Sequence, residues 1–234
     1  MMPAATLSLA GSTHAALRRH LFPGDGLEAA AILVCARTPG PRLRLIAREV
    51  LLIPYADCTQ RELDGITWPG AWIEKAIDAS ADESLALILV HSHPGGKFGF
   101  SSTDDESDKR AVLDIFHAHG DLHGSAIMVP NGAMRARYYT ADGNPRPFDL
   151  VSVAGDDLLF WWDDEATPTG PPNRRVAFTS GMTNELAKLS VGFIGASGTG
   201  SITGEQLSRL GFGRILSIDF DKMEKVTRTI YATL

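Results

Sequence analysis

The apolar residues fall into runs whose spacing changes along the chain. "LALILV" (85–90) is apolar at every position, and its length and composition predict a buried strand. "EAAAILVCAR" (28–37) and "RLRLIAREVLLIP" (42–54) read as a strand pair joined by the turn "TPGP". Helices are predicted over residues 12–22, with Ser12 or Thr13 as N-cap, and over 68–81. The acids at 104–108, followed by "KRAVLDIFHAHG", predict a third helix. Ser102 or Thr103 can cap it, and its acidic first turn suits the helix dipole. "SAIMVP" and "ARYYT" around "NG" (131–132) predict a hairpin.

A change of character follows. "DDEATPTGPPNRR" (163–175) mixes acids, Pro and Gly, the composition of a linker. After it, "TNELAKLS" reads as a helix, "VGFIGA" as a strand, "GEQLSRLGFG" as a helix and "RILSIDF" as a strand. The predicted class is α/β. A first domain is expected over 1–155, a linker over 156–180, and a single β-α-β unit over 181–234.

Composition narrows the chemistry. Apolar residues make up 44% of 234, enough to build a core and to argue against wholesale disorder. A net charge of −6 argues against a general nucleic-acid binder. No apolar run reaches transmembrane length, so no membrane partner is expected. The first residues carry no basic start before their short apolar stretch, and are not read as a signal peptide. Cys35 and Cys58 are far apart and form no C-x-x-C. That suits a cytoplasmic setting and excludes a cysteine zinc ribbon. Any metal must therefore use His and carboxylates.

Such groups gather in "HSHPGGKFGFSSTDD" (91–105). His91 and His93 stand two apart at a strand end, so their side chains share one face and converge. Asp104, at the start of the next helix, can return to the same point across the glycine loop. Two His and one carboxylate are the ligand set of a catalytic zinc, with the fourth position left for water. Taken alone, an H-x-H pair is more often two ordinary surface or core histidines. His117 and His119 also form H-x-H, but near a helix end, where positions two apart point in nearly opposite directions. They are read as non-ligands, as are His14, His20 and His123. Asp105, Glu106 and Asp108 are read as a solvated helix face, and Trp68, Trp72, Trp161 and Trp162 as core.

The full pattern is H-S-H-P, six more residues, then Ser101-x-x-Asp104. It resembles the signature of the JAMM/MPN+ (Mov34/PAD-1-type) zinc metalloproteases, H-x-H, seven residues, S-x-x-D, with every diagnostic position in register. The resemblance implies a mixed, curved β-sheet flanked by helices. It implies Zn2+ held by His91, His93 and Asp104, and a glutamate base at the start of an early strand. Glu28 matches that placement. Glu49, beside Arg48 in mid-strand, is the other candidate and reads more naturally as a solvent-facing acid. Ser101 takes the family's oxyanion role, and a ubiquitin-like protein or its conjugate becomes the implied substrate.

"VGFIGASGTGSITGEQLSRLGFGRILSIDFDKME" sets glycines between a strand and a helix, with Asp219 at the end of the next strand. Glycines let a backbone approach phosphates, a helix N-terminus favours anions, and a strand-end acid can hold a ribose. The text resembles the ThiF/ubiquitin-activating adenylyltransferases, whose loop reads GAGGxGS. Gly195, Gly198, Gly200 and Asp219 would then contact ATP in a partial Rossmann-like unit. Ser197 departs from the family's usual Gly. Glu224 fits the acidic segment that follows, and Arg228 can stand for the family's later arginine. The family's metal-binding Asp and any catalytic Cys would fall beyond Leu234. The two resemblances in this order match bacterial JAMM–ThiF fusions.

Two other classes stay open: a metal-free MPN-type binding scaffold, and an ATP-dependent adenylyltransferase. Inactive MPN domains typically lack a metal ligand, and none is missing here. ATP–pyrophosphate exchange separates the adenylyltransferase from the other two. A homodimer is also open.

Overall fold

β-Branched and small apolar residues dominate two adjacent runs, and these become the centre of the sheet. The computed structural model describes residues 4–79, 85–163 and 180–220. These divide into two compact units, one holding residues 4–163 and the other residues 180–220. Residues 164–179 of the linker expected over 156–180, the end of the second helix at 80–81, and Glu224 and Arg228 lie outside the described residues.

In the first unit, β1 (Ala5–Ala10) leads into α1 (Gly11–Leu21), then β2 (Ala30–Arg37) and β3 (Leu43–Leu52). Two short strands, β4 (Gln60–Arg61) and β5 (Ile66–Thr67), pair with each other ahead of α2 (Ala71–Ala79). Next come β6 (Leu85–Ser92), α3 (Ser102–Ala118), β7 (His123–Met128) and β8 (Met134–Tyr139). β9 (Pro145–Pro147), β10 (Leu150–Ala154) and β11 (Leu158–Trp162) complete it. Nine strands form one mixed sheet in the order β11-β10-β1-β3-β2-β6-β7-β8-β9. β1 pairs in parallel with β10 and β3, and β6 in parallel with β7, while the other neighbours are antiparallel.

β2 and β6 are continuous apolar runs because both of their faces are covered. Ala31, Leu33, Ile88 and Val90 belong to one apolar cluster, where Leu17 and Leu21 of α1 pack. Ala30, Ile32, Leu87 and Leu89 belong to a second, under Ala76 of α2 and Ile115 of α3. The alternation along β6 therefore sends His91, two residues past Leu89, to the α2/α3 face. Trp161 and Trp162 are buried as expected. Trp68 and Trp72 are only partly buried, against the second cluster.

Gly124 of β7 is fixed by packing. A Cβ there would strike the Arg137 carbonyl of β8 and stand 3.0 Å from Ile88 Cδ1. Gly124→Ala is expected to cost about 1–3 kcal/mol, as overpacked cores do, measured by urea denaturation. An unchanged midpoint would mean that β7 and β8 spread freely.

Several boundaries differ from the sequence expectation. α1 begins at Gly11 with Ala10 at the N-cap and no side-chain cap, so Ser12 and Thr13 lie inside the helix. α3 is capped by Ser101 rather than Ser102 or Thr103. β1 and β9–β11 have no counterpart among the predicted elements.

The second unit contains α4 (Ser180–Leu186), β12 (Ser190–Ile194), α5 (Gly198–Arg209) and β13 (Arg214–Ile218). β12 and β13 pair in parallel, as a β-α-β unit requires. α5 starts at Gly198, earlier than the predicted 204. The glycine loop is thus short, and two of its glycines already belong to the helix.

Candidate metal centre

The strand end, the glycine loop and the first turn of α3 bring three donors together. His91 Nε2 lies 3.0 Å from His93 Nε2. Asp104 Oδ1 lies 3.2 Å from His91 Nε2, and Oδ2 lies 3.5 Å from His93 Nε2. Ligands set tetrahedrally about 2.0–2.1 Å from zinc stand about 3.3 Å apart. The three observed separations bracket that edge, so the donor set fits zinc.

Two of the donors, His93 and Asp104, are aimed by their surroundings. His93 Nδ1 bonds to the Lys97 carbonyl at 2.8 Å, which directs Nε2 inward. The His93 backbone amide donates to Met128 and extends the pairing of β6 with β7 past the end of the strand. Asp104 and Ser101 form a capping box. The Ser101 amide donates to Asp104 Oδ2 at 2.5 Å, and the Asp104 amide donates to Ser101 Oγ at 3.1 Å. One four-residue spacing thus caps the helix and orients the carboxylate.

Glu28 stands just ahead of β2. Its carboxylate, His91 and His93 offer atoms that all lie within 4.8 Å of one another. Register explains this, because Ala30 of β2 pairs with His91 of β6. Ser92, between the two histidines, points to the opposite face and accepts the Ala29 amide at 2.9 Å. The motif's middle residue therefore ties the glutamate's neighbour to the strand that carries His91. The Glu28 backbone is held from the other side, by the Glu62 carbonyl at 2.8 Å and by Arg61 Nε at 2.9 Å. Glu49 is exposed on β3.

The electrostatics are those of a partly dry site. Burial raises the Glu28 carboxyl to about 7, against the pull of His91 and His93. Burial also works against charge on Asp104, but hydrogen bonds from His91 and His93 hold it well below the usual carboxylate range. His93 is raised: its burial is outweighed by Asp104 and the Lys97 carbonyl. A groove opens beside Glu28 and His91, between Asp64–Trp68 on one side and Asp104, Ser107 and Ala111 of α3 on the other.

Three further histidines bond to backbone carbonyls. His14 bonds to the Gly132 carbonyl, His20 to the Ala30 carbonyl, and His123 to the His119 carbonyl. One expectation fails. Asp108 is buried, only 6% exposed, and not on a solvated face. It accepts hydrogen bonds from Arg137, Ser125 and Tyr139. Asp105 and Glu106 are exposed as expected. No local signal marks Asp108, since its partners lie 17–31 residues away.

The family of prokaryotic homologs of the JAB domain matches residues 11–140. The chain belongs to this family. All of Glu28, His91, His93, Ser101 and Asp104 lie inside the matched JAB region. Two solved structures are similar to it. One is a protein from Desulfitobacterium hafniense, 13% identical, covering 64% of this chain and 94% of that one with a TM-score of 0.44. The other is a JAB1/MPN domain protein from Archaeoglobus fulgidus, 13% identical, covering 64% and 98% with a TM-score of 0.30. A segment of the chain is also similar to ubiquitin-like modifier-activating enzyme 5, at 35% identity over 65 residues in Rattus norvegicus and 36% over 64 in Gallus gallus. That segment is 26% of this chain and spans 16% of the length of those relatives.

In the second unit, Gly195 and Gly198 have positive φ, and a Cβ on Gly200 would strike the Gly195 carbonyl. Glycine is therefore required there by the loop itself. The Asp219 carboxylate, at the end of β13, accepts the Ala196 amide of the same loop. No helix among the described residues is long and apolar enough to cross a membrane.

Proposed function

We propose that the JAB domain is a zinc-dependent peptidase or isopeptidase that hydrolyses the amide bond after the C-terminal tail of a ubiquitin-like protein. The observation that carries this reading is the triangle of His91, His93 and Asp104 with edges of 3.0, 3.2 and 3.5 Å beside a buried Glu28. The three residues would hold Zn2+. When bound, zinc supplies Lewis acidity that activates water and polarises a scissile carbonyl at neutral pH. Glu28 takes the proton from the attacking water and passes it to the leaving amine. Its carboxyl, near 7, is matched to work in both directions at neutral pH.

Ser101 hydrogen-bonds the developing oxyanion. Its Oγ already accepts the Asp104 amide, so the hydroxyl proton remains to donate. The groove beside Glu28 would take an extended tail, added as a strand and read mainly through its backbone. The ubiquitin-like assignment draws on the JAB family and on the segment similar to ubiquitin-like modifier-activating enzyme 5. Cys35 and Cys58 are free thiols, which supports a cytoplasmic setting.

Elemental analysis tests the centre. About one zinc per chain is expected in the wild type, and little in a His91→Ala/His93→Ala variant. Folded wild type that takes up no zinc when zinc is offered would sink the mechanism and leave a binding scaffold. A second reading, ATP binding at Gly195, Gly198, Gly200 and Asp219, draws on the strand-loop-helix of the second unit and is assayed separately by ATP–pyrophosphate exchange.

A further inference from the structure

β8 carries two arginines, Arg135 and Arg137, on the face that α3 covers. Arg137 is only 7% exposed, although it touches neither histidine nor the groove. Its guanidinium reaches three points on one short stretch. It lies over the Phe100 ring, 3.8 Å from the centroid. It pairs with Asp105 through Nη1. It holds Asp108 through Nη2 at 2.7 Å and Nε at 3.0 Å. Ser125 of β7 and Tyr139 of β8 hold the same Asp108 carboxylate from below.

Those three points bracket the capping box. Phe100 immediately precedes Ser101, Asp105 immediately follows Asp104, and Asp108 lies one helical turn beyond Asp104. Arg135 acts similarly on the loop: its guanidinium lies 4.5 Å from the centre of the Phe98 ring, and Nη1 donates to the Phe98 carbonyl at 3.1 Å. His93, by contrast, is fixed by β7 and Lys97. The ligand that needs outside support is the one on the helix.

We propose that Arg137 is a positioning residue for the metal centre, clamping the first turn of α3 so that Asp104 and Ser101 meet the two histidines. The planar fork matters. A guanidinium can stack on Phe100 and bond two carboxylates at once, whereas a lysine ammonium is a point charge that can neither stack as a plane nor fork. The inference rests on the zinc reading above for its consequence. Its structural half, the fixing of the turn, does not.

The test uses Arg137→Lys, which keeps the buried charge and so should fold. Leu17→Ala, in α1 and far along the sequence from the site, serves as a control that loses stability elsewhere. Zinc affinity is read by competition with a chelator. Amide hydrogen exchange at Asp104 and Asp105 is read in the metal-free protein. Arg137→Lys is expected to weaken zinc about 10–100-fold, the usual effect of losing support behind a ligand, and to speed exchange at both amides. Leu17→Ala is expected to change neither, even at an equal or larger loss of melting temperature.

Zinc affinity and exchange in Arg137→Lys that match the wild type would overturn the clamp, as would an equal weakening in Leu17→Ala. A wild type that binds no zinc overturns the zinc reading instead, and the metal-free exchange data still decide whether Arg137 holds the turn.

Discussion

Glu28→Gln is expected to lower the rate of the proposed amide hydrolysis about 10²–10⁴-fold while zinc content stays near one per chain, the loss that a missing general base produces. The substitution is nearly isosteric and leaves the backbone bonds to Glu62 and Arg61 in place. It removes only the ability to accept and return a proton. Stability gives an independent check on the environment. The folded-state carboxyl is raised from 4.5 to about 7 by burial, so the folded protein holds this proton more tightly than the unfolded chain. A group raised in this way favours folding at low pH and loses that contribution as pH climbs toward 7. A neutral glutamine has no such charge to desolvate. In the presence of chelator at pH 8, the variant is therefore expected to melt at the same temperature as the wild type or higher. A variant that hydrolyses at the wild-type rate would remove Glu28 from the mechanism. A variant that loses its zinc would make it a fourth ligand instead of a base.

The candidate metal ligands are legible in the sequence because the pattern that marks them is written in short-range spacing. H-x-H at the end of an apolar run fixes two side chains on one face, and no distant contact is needed to bring them together. Ser101-x-x-Asp104 is legible as part of a family pattern, but its local role is easily misjudged. Ser102 and Thr103 look like caps by composition, although a serine three residues before an acid is the geometry of a capping box. Glu28 is legible only by analogy. What places it physically is the antiparallel pairing of β2 with β6 and the reach of Ser92 across 63 residues to Ala29.

Asp108 shows why the rest stays hidden. The nearby acids Asp105 and Glu106 are exposed, and it is Arg137 and Tyr139 of β8 with Ser125 of β7 that make Asp108 a buried anchor. The edge of the sheet is hidden for a related reason. β1 pairs with β10 across about 144 residues, as Thr6 with Leu150, and short strands that find partners only at such distance carry weak local signals. The β-α-β unit is recognisable by type, but its helix begins six residues earlier than expected, since Gly198 and Gly200 are helical. Glycine there suggests a helix breaker, whereas it serves the close approach to Gly195.

Relative to a His123→Gln variant, wild-type stability is expected to fall by roughly 3 kcal/mol between pH 7.5 and pH 4, since each pH unit between the unfolded and folded values is worth about 1.4 kcal/mol. His123 is fully buried at the start of β7. The Leu87 amide donates to its Nδ1 at 3.1 Å, and Nε2 bonds to the His119 carbonyl at 2.7 Å. Both ring nitrogens are therefore engaged in the neutral form, with Nδ1 accepting and Nε2 donating. A second proton on Nδ1 would face the Leu87 N–H. Burial lowers the folded-state pKa from 6.5 to about 4. The His119 carbonyl and Asp121 pull the other way, and the His119 ring adds to the lowering. Phe116 meets the ring edge-on and brings no charge.

The sign follows directly. The unfolded chain takes up a proton below pH 6.5 and the folded chain does not until about 4, so stability is lost across that window as pH falls. Urea denaturation with chelator present, at about pH 7.5, 5.5 and 4, measures the difference. The variant is expected to start lower, having a poorer hydrogen-bond match, and to fall less. Parallel losses in the two proteins would mean that the folded ring accepts its proton. For that the Leu87 amide must turn away from Nδ1, breaking β6 where it lies beside His123, four residues before His91.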